Sequence, residues 1–180
     1  MEQIVKIPEG VEVSLEGFKV KAKGGLGTVE RDFYNRGTAS FIKMEKTPEG
    51  IKITGRDEKR EVKALMGTVC AHLRSMFTGV TKGYKYSLKV HFIHYPMSLE
   101  QKGNIVIVKN FIGGKGNRKL KVPDGVKVQI VKQDITLTGI DKEKVGQAAA
   151  NFEIATKHTK NDRRRFQDGI FITEKAAAMK

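Results

Sequence analysis

The sequence predicts an α+β protein in which one unit of antiparallel strands and a helix occurs twice. Most of the chain alternates apolar and polar residues with the period of a β-strand, whereas two segments repeat apolar residues at helical spacing. Short motifs recur 84 residues apart in the two halves. Glycine-rich stretches between strand patterns are typical of hairpin turns, and hairpins give antiparallel pairing.

The first half of the chain predicts five strands followed by one helix. The alternation places strands near residues 11–15, 18–22, 28–33, 40–44 and 51–54. An apolar stripe at helical spacing predicts a helix over residues 58–77, with Asp57 as its N-cap and Gly79 just past its end. This face should pack on the preceding sheet and bury Val62, Val69, Cys70 and Leu73. Cys70 should therefore behave as a small buried hydrophobe.

The second half shows a similar succession. Strands are expected near residues 84–92, 105–108, 126–130, 135–137 and 169–172, with a glycine turn at residues 113–116. A helix is expected to start near Asp141 and to cover residues 142–156. Its apolar face should bury Val145, Ala149 and Phe152, and Tyr84 and Tyr86 should face the core of the sheet.

Three matches between the halves indicate a duplication. Residues 51–57, IKITGRD, match residues 135–141, ITLTGID, at the 84-residue offset. At the same offset Ile42 and Met44 pair with Val126 and Val128. With a small gap, the strand before Gly24 matches the strand before Gly113. The order of the matches is the same in both halves, so two domains are predicted, residues 1–82 and 83–180, which should superpose with equivalent helices.

Composition restricts the function. The 180 residues include 34 Lys and Arg against 20 Asp and Glu, and the net charge of +14 exceeds what a soluble domain needs. Such a charge indicates a polyanionic partner. No apolar run reaches the roughly 18 residues of a membrane-spanning helix, and the N-terminus lacks a signal-peptide pattern. A single cysteine suits a reducing compartment, so a cytoplasmic location is expected.

The strongest candidate site is the cationic stretch after the second helix. Its cations suit phosphate, to which arginine makes two parallel hydrogen bonds. His158 and Asn161 are candidate hydrogen-bond donors to an RNA minor groove. Lys115 and Arg118, the cations of the glycine turn, should contribute to the same RNA affinity. The cations of the stretch are Lys157, Lys160, Arg163, Arg164 and Arg165. The alternative for such a charge run is a solvated loop.

Catalytic and metal-binding patterns are not found, so no enzyme activity, catalytic residue, metal or cofactor is predicted. His91 and His94 are three apart in a predicted strand and should point to opposite faces. Residues 82–86, KGYKY, depart from the RNA-recognition-motif signature, and aromatic residues amount to only 7%, which argues against base stacking. Two alternatives stay open, a free RNA-binding or RNA-chaperone protein and a nucleic-acid enzyme.

Five motifs carry a resemblance to a known family. The sequence resembles large-subunit ribosomal protein six (the L-six family), in its archaeal and eukaryotic branch, over nearly the whole chain. The motifs are TGVTKGY at residues 78–84, HYPM at 94–97, VKNFIG at 108–113, VGQAAA at 145–150 and RFQDGI at 165–170.

The resemblance implies two tandem α+β domains, each an antiparallel sheet with a helix. It also implies a structural constituent of the large ribosomal subunit, bound to its rRNA mainly through the second domain, near the sarcin–ricin loop and the region where translation factors act. Neighbouring ribosomal proteins are further implied partners, and no membrane is. The family's contact segments map onto residues 157–171 and onto the turn of residues 115–119, which adds Asn117 and Lys119 to the candidates.

Overall fold

The structure is a computed structural model that describes residues 1–48, 50–158, 162 and 164–178. Within them the chain divides into two compact units, Met1–Gly83 and Tyr84–Lys180. Among the described residues, no helix is both long enough and apolar enough to cross a membrane.

The first unit contains two three-stranded antiparallel sheets and a long helix. The sheets have the strand orders β1-β6-β5 and β2-β3-β4. The elements are β1 (Glu2–Lys6), β2 (Glu12–Glu16), β3 (Lys19–Gly24), β4 (Gly27–Asp32), α1 (Arg36–Phe41), β5 (Ile42–Thr47), β6 (Gly50–Gly55) and α2 (Arg60–Thr81). The expected residues of α2, Val62, Val69, Cys70 and Leu73, are buried.

The second unit has the same arrangement with one additional strand. Its sheets have the orders β11-β12-β7-β13 and β10-β9-β8, all antiparallel. The elements are β7 (Tyr84–His91), β8 (Ser98–Lys102), β9 (Ile105–Lys109), a 3-10 turn (Phe111–Gly113), β10 (Arg118–Lys121), β11 (Val126–Val131), β12 (Asp134–Gly139), α3 (Lys142–Ala155) and β13 (Gly169–Ala178). Val145, Ala149 and Phe152 of α3 are buried, and so is Tyr84.

The order of pairing confirms the predicted fold class. In each unit the first strand pairs with the second strand of the hairpin that directly precedes the main helix. Three consecutive strands form the other sheet as a meander. The strands of each unit thus form two sheets, not one. Only the second unit continues after its helix into a further strand, β13, which pairs with the free side of β7.

The recurrent motif has a packing explanation. Gly55 and Gly139 end the strands that precede α2 and α3. A Cβ atom on Gly139 would lie 2.6 Å from Cγ2 of Val145, and one on Gly55 would lie 3.0 Å from Cγ1 of Val62. In both units a glycine therefore lets the first buried valine of the helix contact the sheet backbone.

Three predictions about local structure in the first unit are wrong. Residues 36–41 form a short helix where a strand was expected to begin at Ser40. The N-cap of α2 is Lys59, not Asp57, and the helix continues past Gly79 to Thr81 because Val80 extends its buried stripe. The residue that ends it is Gly83, whose φ of +71° is the left-handed conformation that glycine adopts at low cost.

Candidate RNA-binding surface

Both ends of the cationic stretch are tied to the folded core of the second unit. We call residues 157–167 the basic segment. It leaves α3 after Thr156 and enters β13 after Asp168, and both of these residues are buried. The Thr156 hydroxyl accepts a hydrogen bond from the backbone N–H of Ile170, with an N–O distance of 2.9 Å. The helix end and the strand start are thereby joined directly, so the basic segment is a closed loop.

Asp168 closes the other end and is only 2% exposed. Its Oδ1 accepts hydrogen bonds from the backbone N–H groups of Ile93 (2.6 Å) and His94 (3.2 Å), and its Oδ2 lies 2.7 Å from Nδ1 of His94. Burial by itself raises the pKa of this carboxyl, but the hydrogen bonds from the His94 side chain and the two amides outweigh it and hold the pKa below its usual range. Asp168 is therefore an anionic anchor for the loop that contains His94.

The described part of the basic segment is ordered by its own hydrogen bonds. Asp162 accepts one from the N–H of Arg164 with its side chain (2.9 Å) and one from the N–H of Phe166 with its carbonyl (2.9 Å). The Phe166 ring stacks on the His94 ring, with centroids 4.9 Å apart and planes inclined by 28°. Arg164 and Arg165 are left exposed to solvent.

Arg118 joins the glycine turn to the start of the basic segment. Its Nη1 donates to the carbonyls of Ala155 (2.8 Å) and Lys157 (3.1 Å), and its guanidinium lies 4.2 Å from the centroid of the Phe111 ring. The cation also lies at the carboxyl end of α3, where the helix dipole favours positive charge. Arg118 is half-buried and serves first to position the backbone that leads into the basic segment.

The glycine turn presents the other cations. Lys115, Asn117 and Lys119 are exposed around it. The residues that lead into the turn are strained, because Asn110 (φ +57°) and the β-branched Ile112 (φ +52°) are both left-handed.

The side chains of Lys157 and His158 differ in exposure. Lys157 is exposed, whereas His158 is half-buried with its ring 6.0 Å from the Phe111 ring. Both ring nitrogens of His158 are enclosed and have no hydrogen-bond partner among the described residues. Three further predicted contacts, Lys160, Asn161 and Arg163, lie outside the described residues.

The anchoring residues were not among the sequence candidates. His94 was expected in a strand, but β7 ends at His91 and His94 lies in the following loop, where it meets Asp168. A signal was present, because His94 opens the HYPM motif and Asp168 belongs to RFQDGI. Among the described residues, no group of three or more His, Cys, Asp or Glu side chains is arranged to hold a metal ion.

The structure shows a duplicated α+β protein whose second unit fixes both ends of a cationic segment and exposes further cations around the glycine turn. The family model for ribosomal protein L6 matches residues 7–83 and 95–169, most of both units. The chain belongs to the ribosomal protein L6 family. That membership confirms the resemblance, and with it a structural rather than an enzymatic protein of the ribosome.

Curated relatives in archaea carry the name large ribosomal subunit protein uL6. The protein from Ignicoccus hospitalis is 45% identical and the one from Sulfurisphaera tokodaii 44% identical, over 94% and 95% of this chain and 91% and 90% of theirs. The protein from Methanospirillum hungatei is 38% identical over 98% of both chains. The similarity therefore covers both units.

Proposed function

We propose that this chain is a structural constituent of the large ribosomal subunit that binds large-subunit rRNA mainly through its second domain. In this proposal the contacts come from the basic segment and from the glycine turn with Lys115, Asn117 and Lys119. They lie near the sarcin–ricin loop, next to the region where translation factors act. Neighbouring ribosomal proteins complete the binding site, and the chain works with the ribosome in the cytoplasm.

The observation that carries the proposal is the double closure of the basic segment. Thr156 and Asp168 fix its two ends, and Arg118 holds its first residue beside the glycine turn. Two cationic elements far apart in sequence are thus brought together before any RNA is bound. The fixed ends of the segment then lose little conformational entropy on binding, so more of the interaction free energy appears as affinity.

The distribution of charge supports the choice of the second domain. Residues 84–180 contain nineteen Lys and Arg against nine Asp and Glu, whereas residues 1–83 contain fifteen against eleven. Each phosphate that a cation neutralises releases condensed counterions, which gives affinity and a characteristic dependence on salt. Double-stranded RNA offers phosphates and 2′-hydroxyls across a shallow minor groove that these side chains can reach.

The direct test replaces Arg163, Arg164 and Arg165 with alanine in the full chain. Binding to deproteinised large-subunit rRNA of an archaeal relative should weaken, and the slope of log K against log salt should decrease by up to about three. Folding should change little, because exposed charges contribute little to stability. The matched control replaces Lys59, Arg60 and Lys63, three exposed cations of the first unit, and should leave the affinity almost unchanged. An unchanged affinity and slope in the arginine variant would support the solvated-loop alternative.

Two further measurements test the location on the ribosome. The chain should sediment with large subunits in high salt, whereas a free RNA chaperone should dissociate from them. Chemical footprinting should show protection of rRNA near the sarcin–ricin loop by the wild-type chain and weaker protection by the triple-alanine variant. Protection elsewhere, with none near that loop, would reject the proposed location while leaving rRNA binding intact.

A further inference from the structure

The loop between β7 and β8 exposes two large apolar side chains in a strongly cationic unit. Ile93 is 59% exposed and Tyr95 is 48% exposed. They flank His94, whose backbone and ring are held by Asp168. Two large apolar side chains exposed together on one loop of a cationic unit form a candidate contact for a partner.

The Tyr95 ring lies with its face on a glycine. A Cβ atom on Gly113 would come within 3.1 Å of Cζ and 3.2 Å of both Cε atoms of this ring. These nearly equal distances place Gly113 over the face of the ring near Cζ, and any side chain at residue 113 would displace the ring. Gly113 also has a φ of +68°, a left-handed conformation that is a second reason for glycine at this residue. About half of Tyr95 is exposed, which indicates that the ring face opposite Gly113 is accessible to a partner.

The loop is fixed from both sides by the two cationic elements. On one side Asp168 binds the amides of Ile93 and His94, next to the basic segment. On the other side the side-chain amide of Asn110 donates to the carbonyl of Pro96 (3.0 Å), next to the glycine turn. Tyr95 therefore lies between the basic segment and the turn that carries Lys115.

We propose that Tyr95 is a stacking platform for one unpaired base of the RNA that the two cationic elements bind, an inference that rests on the proposed function. An aromatic ring with one face covered by protein and the other open offers a base a flat surface at little cost in side-chain entropy. Stacking accepts any base, because every base has a π-face. The flanking cations would hold the phosphates on either side of the stacked nucleotide, and Ile93 would contact its sugar or the edge of the base.

The test compares Tyr95→Leu with Tyr95→Phe in the full chain, using the same archaeal large-subunit rRNA. Leucine removes the aromatic face, and affinity should fall about five- to tenfold, at the lower end of the effect of a base–aromatic stack. Phenylalanine keeps the ring and should restore binding to within about twofold of wild type. The salt slope should stay the same in both variants, because no phosphate contact is lost. Tyr34→Leu, which removes an exposed tyrosine of the first unit, is the matched control and should not alter affinity.

A second readout is direct. Ultraviolet irradiation of the wild-type complex should crosslink the peptide that contains Tyr95 to RNA, and mass spectrometry should find the adduct on that residue. If Tyr95→Leu binds as wild type and no adduct forms there, the platform is rejected, even where the triple-alanine variant still shows the weakened rRNA binding that the proposed function predicts. If Tyr95→Leu leaves rRNA affinity unchanged but reduces incorporation into large subunits, the open face contacts a ribosomal protein instead, which also rejects the proposal. If wild type itself shows no salt-dependent rRNA binding, the proposed function fails first.

Discussion

Replacing Asp168 with alanine should release the loop that carries His94 and destabilise the protein. The carboxylate accepts three hydrogen bonds, from two backbone N–H groups and the His94 ring, and it is almost fully buried. A hydrogen bond to a charged group contributes about 1.5–3 kcal/mol, but the three share one acceptor group and do not add. The His94 side chain is 39% exposed, so water replaces part of the loss. We therefore expect the free energy of unfolding to fall by about 2–4 kcal/mol.

The pH dependence of stability provides a second prediction from the same group. Because the folded-state pKa of Asp168 is lowered, its contribution is complete above the unfolded pKa of about 3.9 and is lost as the pH falls through the folded value. Asp168→Asn keeps an acceptor oxygen for the amides and should cost less than alanine. It should also remove this group's share of the loss of stability in acid.

The assay is urea unfolding followed by circular dichroism at several pH values between neutral and strongly acidic. Wild type, Asp168→Ala and Asp168→Asn are compared at equal ionic strength. A decrease in the free energy of unfolding of less than about 0.5 kcal/mol in the alanine variant, the size of an ordinary surface substitution, would contradict the role of Asp168 as an anchor. A parallel loss of stability by wild type and the asparagine variant below the ordinary aspartate pKa would contradict the predicted pH dependence.

Two further predictions concern packing. Cys70 is buried, its Sγ lies 3.0 Å from Oε1 of Gln3, and burial raises the pKa of its thiol. A thiol reagent should therefore label Cys70 slowly in the native protein and rapidly in denaturant, and rapid labelling of the native protein would contradict this. Gly139→Ala would force a methyl group against Val145 and should destabilise the protein by about 1–3 kcal/mol, as measured by thermal unfolding. Gly67 lies in α2 with open space around it, so Gly67→Ala should be neutral or stabilise the protein by up to about 1 kcal/mol. Equal effects of the two alanines would show that packing under α3 is not tight.

The repeated hydrophobic patterns made the architecture predictable from sequence. Buried residues of α2 and α3 recur at helical spacing, and the matched motifs at residues 51–57 and 135–141 lead into these helices at equivalent places. Asp141 is the N-cap of α3, with its side chain accepting from the N–H of Glu143 at 2.9 Å, as a short polar residue before an apolar stripe predicts. Local periodicity and capping carry this information without any long-range contact.

Elements without a periodic signal were missed. Strand β1 contains adjacent apolar residues, Ile4 exposed and Val5 buried, so no alternation marks it. Strand β8 has a single apolar residue, Leu99, and α1 has only six residues, which is too few for a helical period. These segments take their structure from pairing and packing with the rest of the unit.

The candidate site was predictable only in part, for a related physical reason. A cluster of cations is visible in sequence, and Arg164, Arg165 and Lys115 are exposed as a nucleic-acid surface needs. What orders the surface is a set of contacts across long sequence separations, such as Asp168 with His94 and Arg118 with Ala155. No local pattern specifies such pairs, and the contact of the Tyr95 ring with Gly113 is another of this kind.

The candidate site occupies the parts in which the second unit differs from the first. The turn between β3 and β4 consists of residues 25–26 alone, whereas the equivalent turn between β9 and β10 extends over residues 110–117. After α3, the second unit adds the basic segment and β13, which the first unit lacks. The lengthened turn and the added segment meet at Arg118, and both border the loop of Tyr95. The site is thus built from what distinguishes the second copy, on a scaffold that both copies share. Replacing the cations Lys115, Arg164 and Arg165 should alter RNA binding while leaving the packing of α3 on its sheets intact, because these side chains are exposed and lie outside the buried core of the unit.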